Sequence, residues 1–221
     1  MAEALEYITV DTAENPQYAV IWLHGLGSDC HDFEGLVPQL GLSGKGVRFV
    51  FPNAPIRPVT INGGMKMRAW YDILEMTLDR KVDMDNIHES AEQIESIVTD
   101  LAEQGISSEN IVIAGFSQGG VIAYQVALFG QHRFAGVMAL STYLADPDVI
   151  ENDGSNTNQE TPFLIHHGSY DPVVAPVLAE RAKQHLDELG YDCEYKVYEM
   201  PHAVCPDQVR DIALWLNQRF S

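Results

Sequence analysis

The stretch IVIAGFSQGG, residues 111–120, decides how the rest of the chain is read. An apolar run stops abruptly at a serine fenced by small residues. Within it, Gly115-Phe116-Ser117-Gln118-Gly119 fits the pattern G-x-S-x-G. Between a strand and a helix, that pattern reads as a nucleophile elbow, a sharp strained turn that lifts the serine hydroxyl above the strand's carboxyl end. Side chains at 115 and 119 would clash with the neighbouring strand and helix, so glycine stands at both. Gly120 lets the helix pack closely. A helix beginning at Ser117 also aims its positive dipole end at any negative charge developing there. The alternative use of the same residues is a glycine-rich turn with a serine helix cap.

Outward from this stretch, two kinds of segment alternate. Strand-like runs are YAVIWLHG (18–25), VRFVFP (47–52), NIVIAGF (110–116), FAGVMALS (134–141), PFLIHHG (162–168) and CEYKVYEM (193–200). Several are continuously apolar, as strands covered on both faces are. Helical stretches lie between them. Ile87, Ala91, Ile94, Val98 and Leu101 recur at three- and four-residue steps and stop at Gly105; this is one face of a helix with a terminating glycine. SQGGVIAYQVALFG, VAPVLAERAKQHLDELG and PDQVRDIALWLNQRF supply three more. Alternating strands and helices predict an α/β fold with a mostly parallel sheet and helices on both faces. ALEYITVD near the start alternates instead and suits an antiparallel edge. No linker divides the chain, which reads as a single domain over 1–221.

A serine hydroxyl is a weak nucleophile and needs a histidine base oriented by a carboxylate. Around such an elbow the order along the chain is serine, acid, histidine. Of eight histidines, His24 and His31 precede the serine, and His88 and His185 lie on helix faces. His132 follows a helix end. His166 and His167 are adjacent in a strand and point to opposite faces, which also argues against a shared metal. His202 follows the strand CEYKVYEM and precedes the last helix, on the same sheet edge as Ser117. The acid is expected at another strand's carboxyl end, and Asp171, stiffened by Pro172, fits best. Asp146 and Asp148 are rivals in a longer polar loop. The oxyanion needs two donors: the N–H of Gln118, and that of Leu26, between Gly25 and Gly27 in WLHGLGSD.

Two segments carry little periodicity, 53–84 and 143–161, and read as lid-like loops. Met65, Met67, Trp70 and Tyr71 in the first are too apolar for plain exposure. They suit either the lining of an apolar cleft or a small satellite core.

Composition narrows the partners. Lys and Arg number 13 against 32 Asp and Glu, a net charge of −19, which repels nucleic acid and anionic lipid surfaces. The longest apolar runs are far shorter than the roughly 20 residues of a membrane span, so no stable membrane insertion is expected. Three cysteines cannot all pair within the chain and form no CxxC. They read as reduced thiols in the cytoplasm. A homodimer covering part of an exposed apolar cleft stays open.

LHGLGSDCHDF, PNAPIRPVTINGGMKMRAWYD, IAGFSQGGVIAY, HHGSYDPVV and MPHAVCPDQVRDIALWL resemble, in order and spacing, the carboxylesterase and acyl-protein thioesterase family of α/β-hydrolases, over residues 17–220. The resemblance implies an α/β-hydrolase fold with Ser117, Asp171 and His202 as triad. It also implies Leu26 and Gln118 as oxyanion hole, Met65 to Asp72 bordering the acyl pocket with Trp70 near the substrate, and no cofactor. Pro201 and Ala203 stand where the family often has Gly and Ser, which puts the exact seat of His202 in question. The expected activity is that of a serine carboxylesterase on small-molecule esters. Hydrolysis of long-chain acylated proteins or lysophospholipids is the alternative, and a non-catalytic hydrolase scaffold a third reading.

Overall fold

A computed structural model of the chain describes residues 4–78 and 80–220. Its frame is a seven-stranded sheet. The strands are β1 (Tyr7–Asp11), β2 (Tyr18–Leu23), β3 (Val47–Pro52), β8 (Ile111–Phe116), β9 (Gly136–Leu140), β10 (Phe163–Gly168) and β11 (Cys193–Tyr198). They lie in the order β1-β3-β2-β8-β9-β10-β11. β1 pairs antiparallel with β3, and every other neighbour is parallel. The chain leaves β2 for β3 on one side and reaches β8 on the other. Order therefore reverses between β2 and β8, and an open α/β sheet binds ligands in the crevice at such a reversal. Leu23 lies opposite Gly115 there, so the loop carrying Leu26 and the turn carrying Ser117 leave the sheet side by side.

The central strands are apolar throughout because both faces are covered. Ile21 and Leu23 of β2 with Ile111 and Ile113 of β8 enter the core shared with α1 (Met84–Glu103) and α2 (Gln118–Phe129). Val20, Trp22, Val112 and Ala114 enter the opposite core. That second core is covered by α5 (Pro206–Arg219) and a tight 3-10 turn at Glu34–Leu40. Each fully buried aliphatic side chain contributes roughly 1.5–3 kcal/mol. α1 begins where the Asp83 carboxylate accepts from the Asn86 N–H at 3.0 Å, a cap for an otherwise unpaired donor. α4 (Pro176–Glu188) packs on β10 and β11.

The segment 53–84 is more regular than its sequence suggests. It forms two antiparallel ribbons, β4 (Ile56–Val59) with β5 (Met65–Arg68), and β6 (Ile73–Glu75) with β7 (Lys81–Val82). The first turns through Gly63 and Gly64, both at positive φ. In 143–161 only short turns occur, with α3 (Ile150–Asp153) a single helical turn. No helix among the described residues is long and apolar enough to cross a membrane.

His166 and His167 face opposite sides of β10, as the strand period requires. His166 is fully buried, with its ring edge-on to Tyr198 at 5.0 Å, and Asp211 and Lys196 nearby. Burial pushes its imidazole down to about 4 from an ordinary 6.5. Between those values the unfolded chain binds the extra proton and the folded one does not. Stability is therefore full above the unfolded value and drains away as the pH falls towards the folded one. Chemical unfolding at pH 7 and pH 5 should differ by about 2 kcal/mol from this group. In His166→Phe, which keeps a ring against Tyr198, that difference should shrink; an undiminished difference would refute the assignment.

Candidate active site

The elbow is built by exclusion. Ser117 sits at φ 54° and ψ −119°, a region that costs a non-glycine residue about 1–3 kcal/mol and persists only where the surroundings enforce it. They do so here. The Ser117 N–H donates to Leu140 O at 2.8 Å, and Thr142 Oγ1 donates to Ser117 O at 2.7 Å. A Cβ at Gly115 would lie 2.2 Å from Gly119 O, one at Gly119 2.5 Å from Leu23 O, and one at Gly120 2.6 Å from the Thr142 side chain. The three glycines thus let strand, turn and helix approach closely enough to hold the serine at its angle.

Asp171 and His202 meet, 31 residues apart in sequence, with His202 Nδ1 2.6 Å from Asp171 Oδ2. Proline at 201 does not prevent this. The Asp171 side chain is wholly buried, while that of His202 keeps 15% exposure. The other carboxylate oxygen, Oδ1, accepts the N–H groups of Val173 and Val174 at 2.8 and 2.9 Å, an Asx-type turn seeded by the Asp-Pro pair. Burial pushes the carboxyl up, but the bonds from His202, Val174 and Val173 outweigh it and hold the group below the usual range. His202 reaches the elbow through Phe116, whose ring lies 4.7 Å from the imidazole. Among the described residues no hydrogen bond joins the Ser117 hydroxyl to that ring.

The loop after β2 is braced on both sides. His24 Nδ1 donates to Gly25 O at 2.7 Å and its Nε2 accepts from the Ala54 N–H at 3.1 Å. Gly27, at φ 77°, donates its N–H to Arg68 O at 2.8 Å. The N–H groups of Leu26 and Gln118 donate to no protein acceptor among the described residues. Both residues border a cavity of about 220 Å³ with Ser117, Ile61, Tyr71 and Met76. Two free donors beside the serine are what an oxyanion would require.

Two expected lining residues sit elsewhere. Trp70 is fully buried behind the cavity wall. Its indole N–H donates to His24 O at 2.9 Å, and its backbone N–H donates to Gln118 Oε1 at 2.8 Å. An aromatic with a polar edge finds a buried acceptor, so Trp70 ties the 68–72 strap to the elbow instead of facing the cavity. Met65 is 65% exposed on β5, away from the cavity. Tyr71, Tyr143, Met76 and Val173 take the wall positions. The rival acids Asp146 and Asp148 border a different cavity. Sequence reasoning also missed His167, whose Nε2 donates to Val174 O at 2.8 Å and lies 3.5 Å from Asp171 Oδ2. The only hint was its position four residues before the acid. Among the described residues no group of three His, Cys, Asp or Glu is placed to hold a metal.

A reversing parallel sheet with a strained serine elbow at its switch point defines an α/β-hydrolase. The sequence model of the Phospholipase/Carboxylesterase family matches residues 6–219. Acyl-protein thioesterase 1 of Saccharomyces cerevisiae is 36% identical over 210 residues, covering 91% of this chain and 92% of that protein. Acyl-protein thioesterase 1 of Mycosarcoma maydis is also 36% identical, with 92% and 91% covered. Among solved structures, Arabidopsis thaliana SOBER1 superposes with a TM-score of 0.85 at 28% identity, over 92% of this chain and 99% of that one. Zea mays acyl-protein thioesterase 2, at 22% identity and a TM-score of 0.86 over 98% and 99%, shares the fold. The chain belongs to the phospholipase/carboxylesterase family and is a serine hydrolase.

Proposed function

We propose that this hydrolase acts as an acyl-protein thioesterase, releasing acyl groups from cysteine thioesters, with simple carboxylic esters as secondary substrates. Ser117 Oγ attacks the acyl carbonyl while His202 Nε2 takes its proton. Asp171 holds Nδ1–H and stabilises the imidazolium. The N–H groups of Leu26 and Gln118 receive the oxyanion. The thiol leaves with the proton from His202, and water then attacks the acyl-serine by the same route in reverse roles. Catalytic hydrogen bonds are often long before substrate binds and tighten afterwards, which accommodates the Ser117–His202 gap. The observation that carries the triad is the 2.6 Å Asp171–His202 bond on the sheet edge that bears the strained serine.

Two things support the thioester reading over plain carboxylesterase chemistry. Relatives named acyl-protein thioesterase 1 match along almost the whole chain, and apolar Leu26, Ile61 and Met76 line the cavity beside the serine. Three thiols without a disulfide fit work in the reducing cytoplasm. The test is a matched series of oxygen and thiol esters with equal acyl chains. We expect kcat/KM to favour the thiol ester at least tenfold at octanoyl length. A maximum at acetyl or butyryl with oxygen esters preferred would return the chain to the carboxylesterase reading.

A further inference from the structure

The cavity beside Ser117 is small. Its volume of about 220 Å³ lies below the roughly 300–1,000 Å³ usual for a ligand pocket. A second cavity of about 520 Å³ adjoins it, with Leu78, Leu144 and Leu178 on its wall. Arg80 and Tyr143 belong to both walls, so these two side chains form the partition. Tyr143 is fixed, being buried with its hydroxyl 2.8 Å from that of Tyr71. Arg80 is clamped across the gap from the β6–β7 turn. Its Nη2 donates to Val173 O, its guanidinium carbon lies 4.8 Å from the centre of the Tyr143 ring, and its Nη1 is 3.3 Å from Met76 Sδ. Its Nε is buried with no hydrogen-bond partner, and its φ of 29° is one that side chains rarely adopt. The local backbone adds one turn bond, from the Arg80 N–H to Thr77 O at 3.1 Å, and the clamp holds the side chain across the gap.

We propose that the Arg80 side chain, clamped between Val173 O and the Tyr143 ring, closes the acyl cleft where it would open into the larger cavity, and so sets the longest acyl chain the enzyme accepts. The inference rests on the reading that Ser117 attacks an acyl carbonyl. A chain whose carbonyl sits at Ser117 and whose methylenes lie along Leu26, Ile61 and Met76 meets the guanidinium next. Passing it means stripping a cation of its carbonyl partner and laying hydrocarbon against its unpaired Nε, which is unfavourable. Leu78, Leu144 and Leu178 beyond it stay out of reach. Arg80 is thus a specificity-determining residue that contributes by obstruction.

Two variants test this. Arg80→Ala removes the obstruction, and Arg80→Gly does so with a residue at ease at positive φ, which guards against a misfolded turn. The readouts are kcat/KM on p-nitrophenyl butyrate and dodecanoate, and calorimetric binding of butanoate and dodecanoate in a Ser117→Ala background. Each newly buried methylene strengthens binding about fourfold. We expect the dodecanoate-to-butyrate ratio of kcat/KM to rise at least tenfold in both variants, with dodecanoate binding tightened in step. A ratio unchanged within threefold in folded, active variants overturns the proposal. If the unmodified enzyme hydrolyses no ester, the hydrolase reading fails separately, and unaltered dodecanoate binding then overturns the role of Arg80 on its own.

Discussion

Ser117→Ala is expected to abolish ester and thioester turnover, by about a million-fold in kcat, while the protein unfolds within about 1 kcal/mol of its original stability. The two halves of this result have different causes. Turnover fails because the attacking oxygen is gone, and neither His202 nor the two free N–H donors can form the acyl-enzyme without it. Stability persists because what holds the turn is backbone. The N–H of residue 117 still donates to Leu140 O, and Thr142 still caps its carbonyl. Alanine keeps a Cβ and inherits the strain at φ 54°, so little is relieved. Rates with p-nitrophenyl octanoate and a urea titration read both halves. Residual turnover above about one per cent, in protein free of wild-type carry-over, would remove Ser117 from the chemistry.

Asp171→Asn is expected to lower kcat about ten-thousand-fold with the fold intact. The geometry says which way the new amide must face. Oδ1 receives two backbone N–H groups, from Val173 and Val174, so the amide oxygen belongs there. The NH2 then occupies the place of Oδ2 and points at His202 Nδ1, where a carboxylate oxygen stood at 2.6 Å. Two donors cannot face each other, so the imidazole must carry its proton on Nε2. That nitrogen can no longer take a proton from Ser117. Loss of the negative charge also removes support for the imidazolium. Steady-state kinetics together with the ring-nitrogen NMR signals of His202 would check this, and an unchanged tautomer with an unchanged rate would refute it.

The candidate catalytic residues were more legible in the sequence than their surroundings. Ser117 and Asp171 each follow a strand whose apolar run is easy to see, His202 follows the alternating strand β11, and chain order narrowed the candidates. The glycines at 115, 119 and 120 announced close approach because no other residue fits there. Tyr143 and Arg80 carried no such mark. They lie far apart in sequence and gain meaning only when the turn after β6 folds against the loop after β9. Trp70 misled for a related reason: an aromatic in an irregular segment reads equally well as lining or packing, and only its indole partner, His24 O, decides. The ribbons of 53–84 escaped because strands of two to four residues are too short to display a period.

The parallel strands all point the same way, so Ser117, Asp171 and His202, the groups proposed to react, crowd one rim. The opposite rim includes the connections 41–46, 104–110, 130–135 and 189–192, none of which supplies a group to the proposed triad or the cavity beside it. That side is where a fluorophore, a tether to a solid support or an extra run of residues can be grafted with the catalytic centre undisturbed.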